Sequence, residues 1–529
     1  MAINRVIIQN YRTLRNVDIK LSSGLNIIVG DNESGKSTLL EAINLALKCQ
    51  LNRRSAHYEL HPFLFNKEVV NEFLDAAKAG TPQEPPTILI ELYLDDAPAL
   101  ADWKGTVNSK TIDCPGLKLR IELSPNRTEE YQSYVADPTR LNSIPIEYYE
   151  IAWFSFADTE MKPHTTPLKS ALIDPSTISN TYAANKYMLE IVKDYLTKDQ
   201  QVDLALSFRT MKDLFLQDTN VAAINAELAT KTGIVSDKTL SMEMDTTTRA
   251  SWETGVLPHL NDIPLVLVGK GEQNSVKIKL AMVAANACDA ILMEEPENHL
   301  SHVNLNKLIK HISDQADGKQ LLVTTHSSFV LNKLGVESVL MFDGKTGVTI
   351  DALPPTTSAY FKKLPGYDTL RMILAERTIL VEGPSDELIV QKAYQMQHGK
   401  LPIEDGVEVI SVRSLAFKRF LDIALLLNID VRVVTDNDGR YEAVIEKYAD
   451  YEAHPSITIC CDPDEDFPTL EPQLLKANGR ELLNTLLGTE HQDDATLLNY
   501  MSNNKTDVAL MLFESAEAFN IPEYIQNAI

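Results

Sequence analysis

Two short runs constrain the last third of this 529-residue chain more than any other part of it. The first is Thr378-Ile379-Leu380-Val381-Glu382-Gly383-Pro384-Ser385-Asp386. The second, with Asp436 lying 54 residues after Glu382, is Val433-Val434-Thr435-Asp436-Asn437-Asp438. Each is apolar, rich in β-branched residues and ends in carboxylates, the pattern of a buried parallel strand that delivers acids to the C-terminal edge of an α/β sheet. If the second strand persists, Asp436 and Asp438 point to the same side. Glu382 and Asp386 lie across a strand-to-helix turn, with Ser385 placed to cap the helix. Three or four carboxylates converging on one edge, with no His or Cys among them, form a hard-oxygen site suited to Mg²⁺ or Mn²⁺.

Near the other end, Gly30-Asp31-Asn32-Glu33-Ser34-Gly35-Lys36-Ser37-Thr38 fits the P-loop pattern G-x-x-x-x-G-K-[ST]. It follows an apolar strand, Leu25 to Val29, and opens a helix, Leu39 to Leu47, which is the setting the motif requires. The backbone N–H groups of such a loop cradle phosphates, so Gly30, Asn32, Gly35 and Thr38 are expected around ATP. Lys36 would reach the β- and γ-phosphates, and Ser37 would ligate Mg²⁺.

Three further segments specify the kind of ATPase. The strand Ala290-Ile291-Leu292-Met293 ends in Glu294 and Glu295, a Walker B arrangement. Glu294 would hold Mg²⁺ and Glu295 would polarise the attacking water. The strand Leu322-Val323-Thr324-Thr325 ends in His326, a residue placed to touch the γ-phosphate. Upstream, Val268-Gly269-Lys270-Gly271-Glu272-Gln273 leads into a helix, which assigns Gly269, Gly271 and Gln273 to a signature loop. This order, with the opening Ile7-Ile8-Gln9-Asn10-Tyr11-Arg12-Thr13-Leu14, resembles ABC-type ATPases of the SMC/RecF/OLD group. The resemblance implies a head-to-head dimer in which each signature loop closes over ATP held by the other protomer. The signature serine of that group is absent unless Ser275 or Lys270 substitutes. The strand region Glu150 to Phe156, where a Q-loop glutamine is expected, contains no Gln. ATP binding is thus better supported than fast turnover.

The acid-tipped runs resemble the TOPRIM domain of topoisomerases, DnaG-type primases and OLD-family (overcoming lysogenization defect) nucleases. An N-terminal ABC-type ATPase joined to a C-terminal TOPRIM domain is the OLD arrangement, and the resemblance spans nearly the whole chain. It implies that Glu382 is the first TOPRIM glutamate, Asp386 the acid after the turn, and Asp436 with Asp438 the D-x-D pair. It further implies a metal-binding glutamate at Glu471, in Thr469-Leu470-Glu471, and a catalytic lysine preceding a helix at Lys505. Five carboxylates can serve a two-metal phosphodiester hydrolysis, with Lys505 neutralising phosphate charge. The acidic loop Asp462, Asp464, Glu465 and Asp466 reads as a solvated segment.

The expected organisation is an ATPase over residues 1–166 and 259–352, interrupted by a helical insertion over 167–258 that serves dimerisation. A Pro-rich linker over 353–375 then leads to the TOPRIM domain over 376–529. The run Tyr187-Met188-Leu189 to Tyr195-Leu196 is the clearest amphipathic stretch of the insertion. Five cysteines without zinc spacing suit a reducing cytosol, and no stretch is apolar and long enough to span a membrane. The chain carries a net charge of −25. From Glu376 onward there are 12 Lys and Arg against 28 Asp and Glu, a net −16. That distribution disfavours tight, metal-free binding of nucleic acid without excluding a polyanionic substrate.

The expected activity is therefore ATP-gated, metal-dependent cleavage of nucleic acid, DNA before RNA, in a defence setting like that of Gabija-type and retron-associated OLD nucleases. A homodimer or tetramer, a partner protein and a retron RNA–DNA element are the partners the resemblance implies. The competing readings are an SMC/RecF-like clamp with a silent TOPRIM scaffold, and a TOPRIM ribonuclease acting on tRNA. A topoisomerase lacks its tyrosine-bearing domain here, and a primase its zinc module.

Overall fold

A computed structural model describes all residues except 52–53, 82, 138–140, 163–164, 175–188, 190–191, 194–195, 233–237, 246–251, 253–255, 286–287, 316–317, 351 and 413–415. The chain divides into two compact units. The first contains Met1–Arg15, Lys20–Leu25 and Ser37–Thr324; the second contains Asn16–Ile19, Asn26–Lys36 and Thr325–Ile529.

In the first unit, the strands Ile3–Tyr11, Ile88–Leu94, Cys114–Leu123 and Tyr149–Ser155 pair antiparallel in that order. Alternate residues of Ile88–Leu94 and Cys114–Leu123, such as Ile90, Leu92, Leu117, Leu119 and Ile121, are fully buried, the period-2 signature of a sheet facing a core. A second, parallel set places Ala290–Glu294 between Ser170–Ile173 and Gln320–Thr324. Residues Ala290 to Met293 and Leu321 to Val323 are almost wholly buried, as parallel strands covered on both faces must be. The helices Lys198–Gln217 and Thr219–Ala229 occupy the region read as an insertion. Most of the amphipathic stretch from 187 to 196 lies outside the described residues.

The second unit contains the parallel pair Leu25–Val29 with Val339–Phe342, and a four-stranded parallel sheet. That sheet runs in the order Val407–Ser411, Arg377–Val381, Asp430–Val434, Ile457–Cys460. Each strand feeds a helix, and Ile389, Val390 and Ala393 of Pro384–His398 turn one face into the core shared with Ile379, Val381 and Val434.

One expectation changes here. The segment read as a linker is packed structure, with helices Pro355–Lys363 and Thr369–Leu374 burying Phe361, Leu370, Met372 and Ile373. Pro355 at the first helical turn starts a helix instead of breaking one. Thr357 donates to Asp422 and Ser358 to Glu337, so the first of these helices is tied on both sides. The long segment of the second unit begins at Thr325.

Candidate active site

The pairing Val381↔Val434 sets Glu382 and Thr435 side by side, each one residue past the end of its strand. Thr435 Oγ1 donates to Glu382 Oε1 at 2.7 Å, and the Asp436 N–H donates to the same oxygen at 3.1 Å. Asp386 Oδ2 accepts the Gly383 N–H at 3.1 Å, which makes Asp386 the side chain that closes the first turn of its helix. Ser385 therefore does not cap: it lies inside the helix, buried, behind Pro384.

The strand carrying Asp436 ends at Val434, so alternation along it does not place the D-x-D pair. Asp438 takes a left-handed φ of 49° and is exposed. The turn is made by buried Asn437, whose Oδ1 accepts the Gly439 N–H at 2.8 Å. Its Nδ2 donates to Asp462 O at 2.9 Å and Asp464 O at 2.8 Å. The acidic loop is thereby pinned, and Lys476 Nζ holds Asp464 Oδ2 at 2.8 Å.

Glu471, in the first turn of the helix Leu470–Leu487, is 3% exposed. It accepts from Thr469 Oγ1 at 3.0 Å and pairs with Lys505 Nζ at 3.1 Å. Lys505 is the first residue of the helix Lys505–Glu514. All the TOPRIM residues singled out in the sequence thus lie in one unit, and their charges act on one another. Burial, then Asp386, Glu382, Glu471 and Asp438, push Asp436 up to about 8. Burial and Glu382 push Asp386 up to about 7.

The acids share an edge without closing on one point. Among the described residues no three His, Cys, Asp or Glu side chains are gathered closely enough to hold an ion. The donor set still fits Mg²⁺ or Mn²⁺: it is all carboxylate oxygen, and the two acids driven upward are those whose ionised form a divalent cation would favour.

In the first unit, Glu294 ends the strand Ala290–Glu294. Burial and the neighbouring charge of Asp174 raise it to about 7, while a hydrogen bond with Ser37 opposes the rise. Ser37 and Glu294 are therefore in contact. Asp174, one residue past Ser170–Ile173, was not among the sequence candidates. Its signal was present, as another apolar strand ending in a carboxylate. Glu41 also faces this group and is held by Arg12 Nη2 at 3.0 Å. Glu295, at φ 36°, accepts from Asn298 Nδ2 at 2.7 Å.

The residues read in the sequence as a signature loop are arranged by their backbone. A Cβ on Gly271 would lie 2.4 Å from His299 O, so only glycine permits that approach. Gln273 Nε2 folds back onto Val268 O at 2.7 Å, and Gly269 is the residue before the helix Lys270–Ala284. In the second unit, a Cβ on Gly30 would sit 2.2 Å from Phe342 O, and Gly35 has φ 88°. Lys36 Nζ donates to Gly30 O at 2.9 Å and Asp31 O at 2.8 Å. Asn32 and His326 are exposed, and Thr38 is half-buried in the helix Lys36–Lys48.

Residues 1–331 match the family model for the AAA ATPase domain. Residues 373–438 match the model for the overcoming lysogenization defect protein-like TOPRIM domain. The chain belongs to the OLD-type fusions of an ATPase with a TOPRIM domain.

This OLD-type chain is 38% identical over 74 residues to the DNA replication and repair protein RecF of Actinobacillus pleuropneumoniae serotype 5b (strain L20), covering 13% of the chain and 21% of RecF. It thus spans about a fifth of the length of that relative. It is 25% identical over 351 residues to an ATP/GTP phosphatase of Helicobacter pylori, covering 61% of the chain and 85% of that protein. Among solved structures, an SmcHead bound to the C-winged helix domain of ScpA superposes with a TM-score of 0.35 at 13% identity, covering 66% and 99% of the two chains. The recombination mediator RecF with a bound nucleotide gives a TM-score of 0.34 at 11% identity, covering 66% and 98%. The fold of the OLD-type chain is α/β, an AAA-family P-loop ATPase domain followed by a TOPRIM domain. No described helix is long and apolar enough to cross a membrane.

Proposed function

We propose that this protein is an ATP-binding endonuclease that hydrolyses phosphodiesters of nucleic acid, DNA in preference to RNA, with a divalent cation in the TOPRIM site. The observation that carries the reading is the edge where Glu382, Asp386, Asp436 and Glu471 feel one another's charge, with Lys505 bonded to Glu471. In the reaction, water oxygen bonds to phosphorus as a P–O bond breaks, and the leaving oxygen takes up a proton. Glu382, Asp386, Asp436, Asp438 and Glu471 would hold Mg²⁺ or Mn²⁺, which supplies positive charge to a polyanionic substrate. Thr435 and the Asp436 N–H fix the Glu382 carboxylate, and Gly383 fixes Asp386, so neither must be ordered when substrate arrives. Lys505, held by Glu471 and half-exposed, is placed to neutralise phosphate charge.

The ATPase domain is read as the gate. Ser37 and Glu294 would hold the Mg²⁺ of bound ATP, and Glu295 would orient water for slow hydrolysis. A homodimer is part of the reading. Val202, Leu206, Leu214 and Phe215 of Lys198–Gln217 are exposed, an apolar cost that a second copy would remove. Phage defence is the setting the OLD resemblance suggests.

The test is incubation with supercoiled plasmid and, separately, total tRNA, in Mg²⁺ or Mn²⁺, with and without ATP, beside Glu382→Ala. Metal-dependent cutting lost in the variant supports the reading, and the substrate cut separates DNase from RNase. Equal behaviour of the two proteins in every condition supports a silent TOPRIM scaffold.

A further inference from the structure

The chain's last turn brings one more group to the TOPRIM acids. Tyr524 lies in the short helix Glu523–Gln526 and is 4% exposed. Its ring sits in the domain core with Ile521, Ile525 and Ala528. The tail is fixed from the sheet itself: Arg432 Nη1, on the strand that leads to Asp436, donates to Asn527 O and Ile529 O at 3.2 Å each. The Tyr524 hydroxyl is fully buried and has no hydrogen-bond partner among the described residues. The charged groups that bear on it most are Asp436 and then Asp386.

A buried hydroxyl with no partner is unfavourable, and Phe would fill the same volume without it. Here the ring shares its core cluster with Val381 and Val434, the strand ends that lead to Glu382 and Asp436. Burial holds its proton firmly, so it acts as a donor at any working pH.

We infer that Tyr524 is a positioning residue of the nuclease site, its hydroxyl donating a hydrogen bond to an oxygen ligand, water or phosphate, seated among Asp386 and Asp436 when a divalent cation is bound. This rests on the nuclease reading above. The C-terminal tail is then part of the active site and not merely a cover for the core.

The test uses full-length Tyr524→Phe beside wild type, with three readouts. The urea unfolding midpoint without metal should hold or rise, because Phe removes an unpaired buried hydroxyl. Calorimetric Mn²⁺ titration without nucleic acid should show affinity weakened by several-fold if the ligand oxygen is water, and unchanged if it is phosphate. Plasmid cleavage should lose about tenfold in kcat, the worth of one ordinary hydrogen bond, with KM for DNA retained if water is the ligand and raised if phosphate is. Two results overturn the inference: a variant that binds Mn²⁺ and cleaves like wild type, or one whose unfolding midpoint falls, which makes the hydroxyl structural. If wild type cuts nothing, the nuclease reading fails by itself, and weaker Mn²⁺ binding by Tyr524→Phe still upholds the hydroxyl's place in the cation site.

Discussion

Lys505 Nζ lies 3.1 Å from Glu471 Oε1 and 3.3 Å from Oε2, joining the first turns of two helices whose partners are 34 residues apart. The carboxylate is buried, with 4% of its side chain exposed, whereas the ammonium side chain is 51% exposed. Removing the lysine leaves a buried charge, yet solvent at the open side limits the cost. Lys505→Ala should lower stability by only about 1 kcal/mol. Cleavage should fall far more, by about 100-fold, if Lys505 neutralises phosphate charge. Urea unfolding and plasmid nicking, run on the same preparations, separate the two effects.

Asp386 at about 7 and Asp436 at about 8 give a pH signature. Both lie above an ordinary Asp near 3.9, so the folded protein holds protons that the unfolded chain has released. That stabilisation is fully present below a pH of about 4 and is lost as pH rises through the folded values. In EDTA, the melting temperature should therefore decline toward pH 8. Mn²⁺ affinity should rise over the same window, with protons released on binding. Asp436→Asn should flatten both trends, as scanning calorimetry and titration in two buffers would show.

Gly30 faces Phe342 O with no room for a methyl group. Gly30→Ala must push the loop off that carbonyl, and overpacking of this kind costs about 1–3 kcal/mol. ATP affinity should drop by more than about tenfold with the TOPRIM activity in the absence of ATP unaffected. Fluorescent-nucleotide titration checks the first part and plasmid cleavage the second.

Asn437 is 2% exposed and makes three hydrogen bonds that shape the turn between Asp436 and Asp438. Asn437→Ala leaves the half-buried carbonyls of Asp462 and Asp464 without that donor, at about 0.5–1.5 kcal/mol for each lost hydrogen bond. It should lower the unfolding midpoint and, because Asp438 is no longer aimed, weaken Mn²⁺ binding as well.

Glu295→Gln should abolish ATP hydrolysis while leaving ATP binding intact, since the position follows the strand end and bonds Asn298. Nuclease activity of the variant with ATP then gives the sign of control. Higher cleavage than wild type means bound ATP activates, and lower means it inhibits.

Much of the candidate site was legible because its signals are local. The strands Leu25–Val29, Ala290–Glu294, Arg377–Val381 and Asp430–Val434 stand where apolar runs with terminal acids placed them. Asp438 was harder: alternation assumes a continuing strand, and the strand stops at Val434 ahead of a turn bonded by the Asn437 side chain. The helices of residues 355–374 were masked by Pro354, Pro355, Pro365 and Gly366, residues that mark breaks in sequence but here bound short packed helices.

The sequence alone determined which segments are strands tipped with acids and which turn is a P-loop, since hydrophobic period, β-branching and glycine placement act over a few residues. Tertiary structure decided that Lys505 meets Glu471, that Asp174 loads Glu294, and that Arg432 ties the final turn to the strand leading to Asp436. Those meetings join residues far apart in the chain. They follow from how helices pack on the sheets, which no local period encodes.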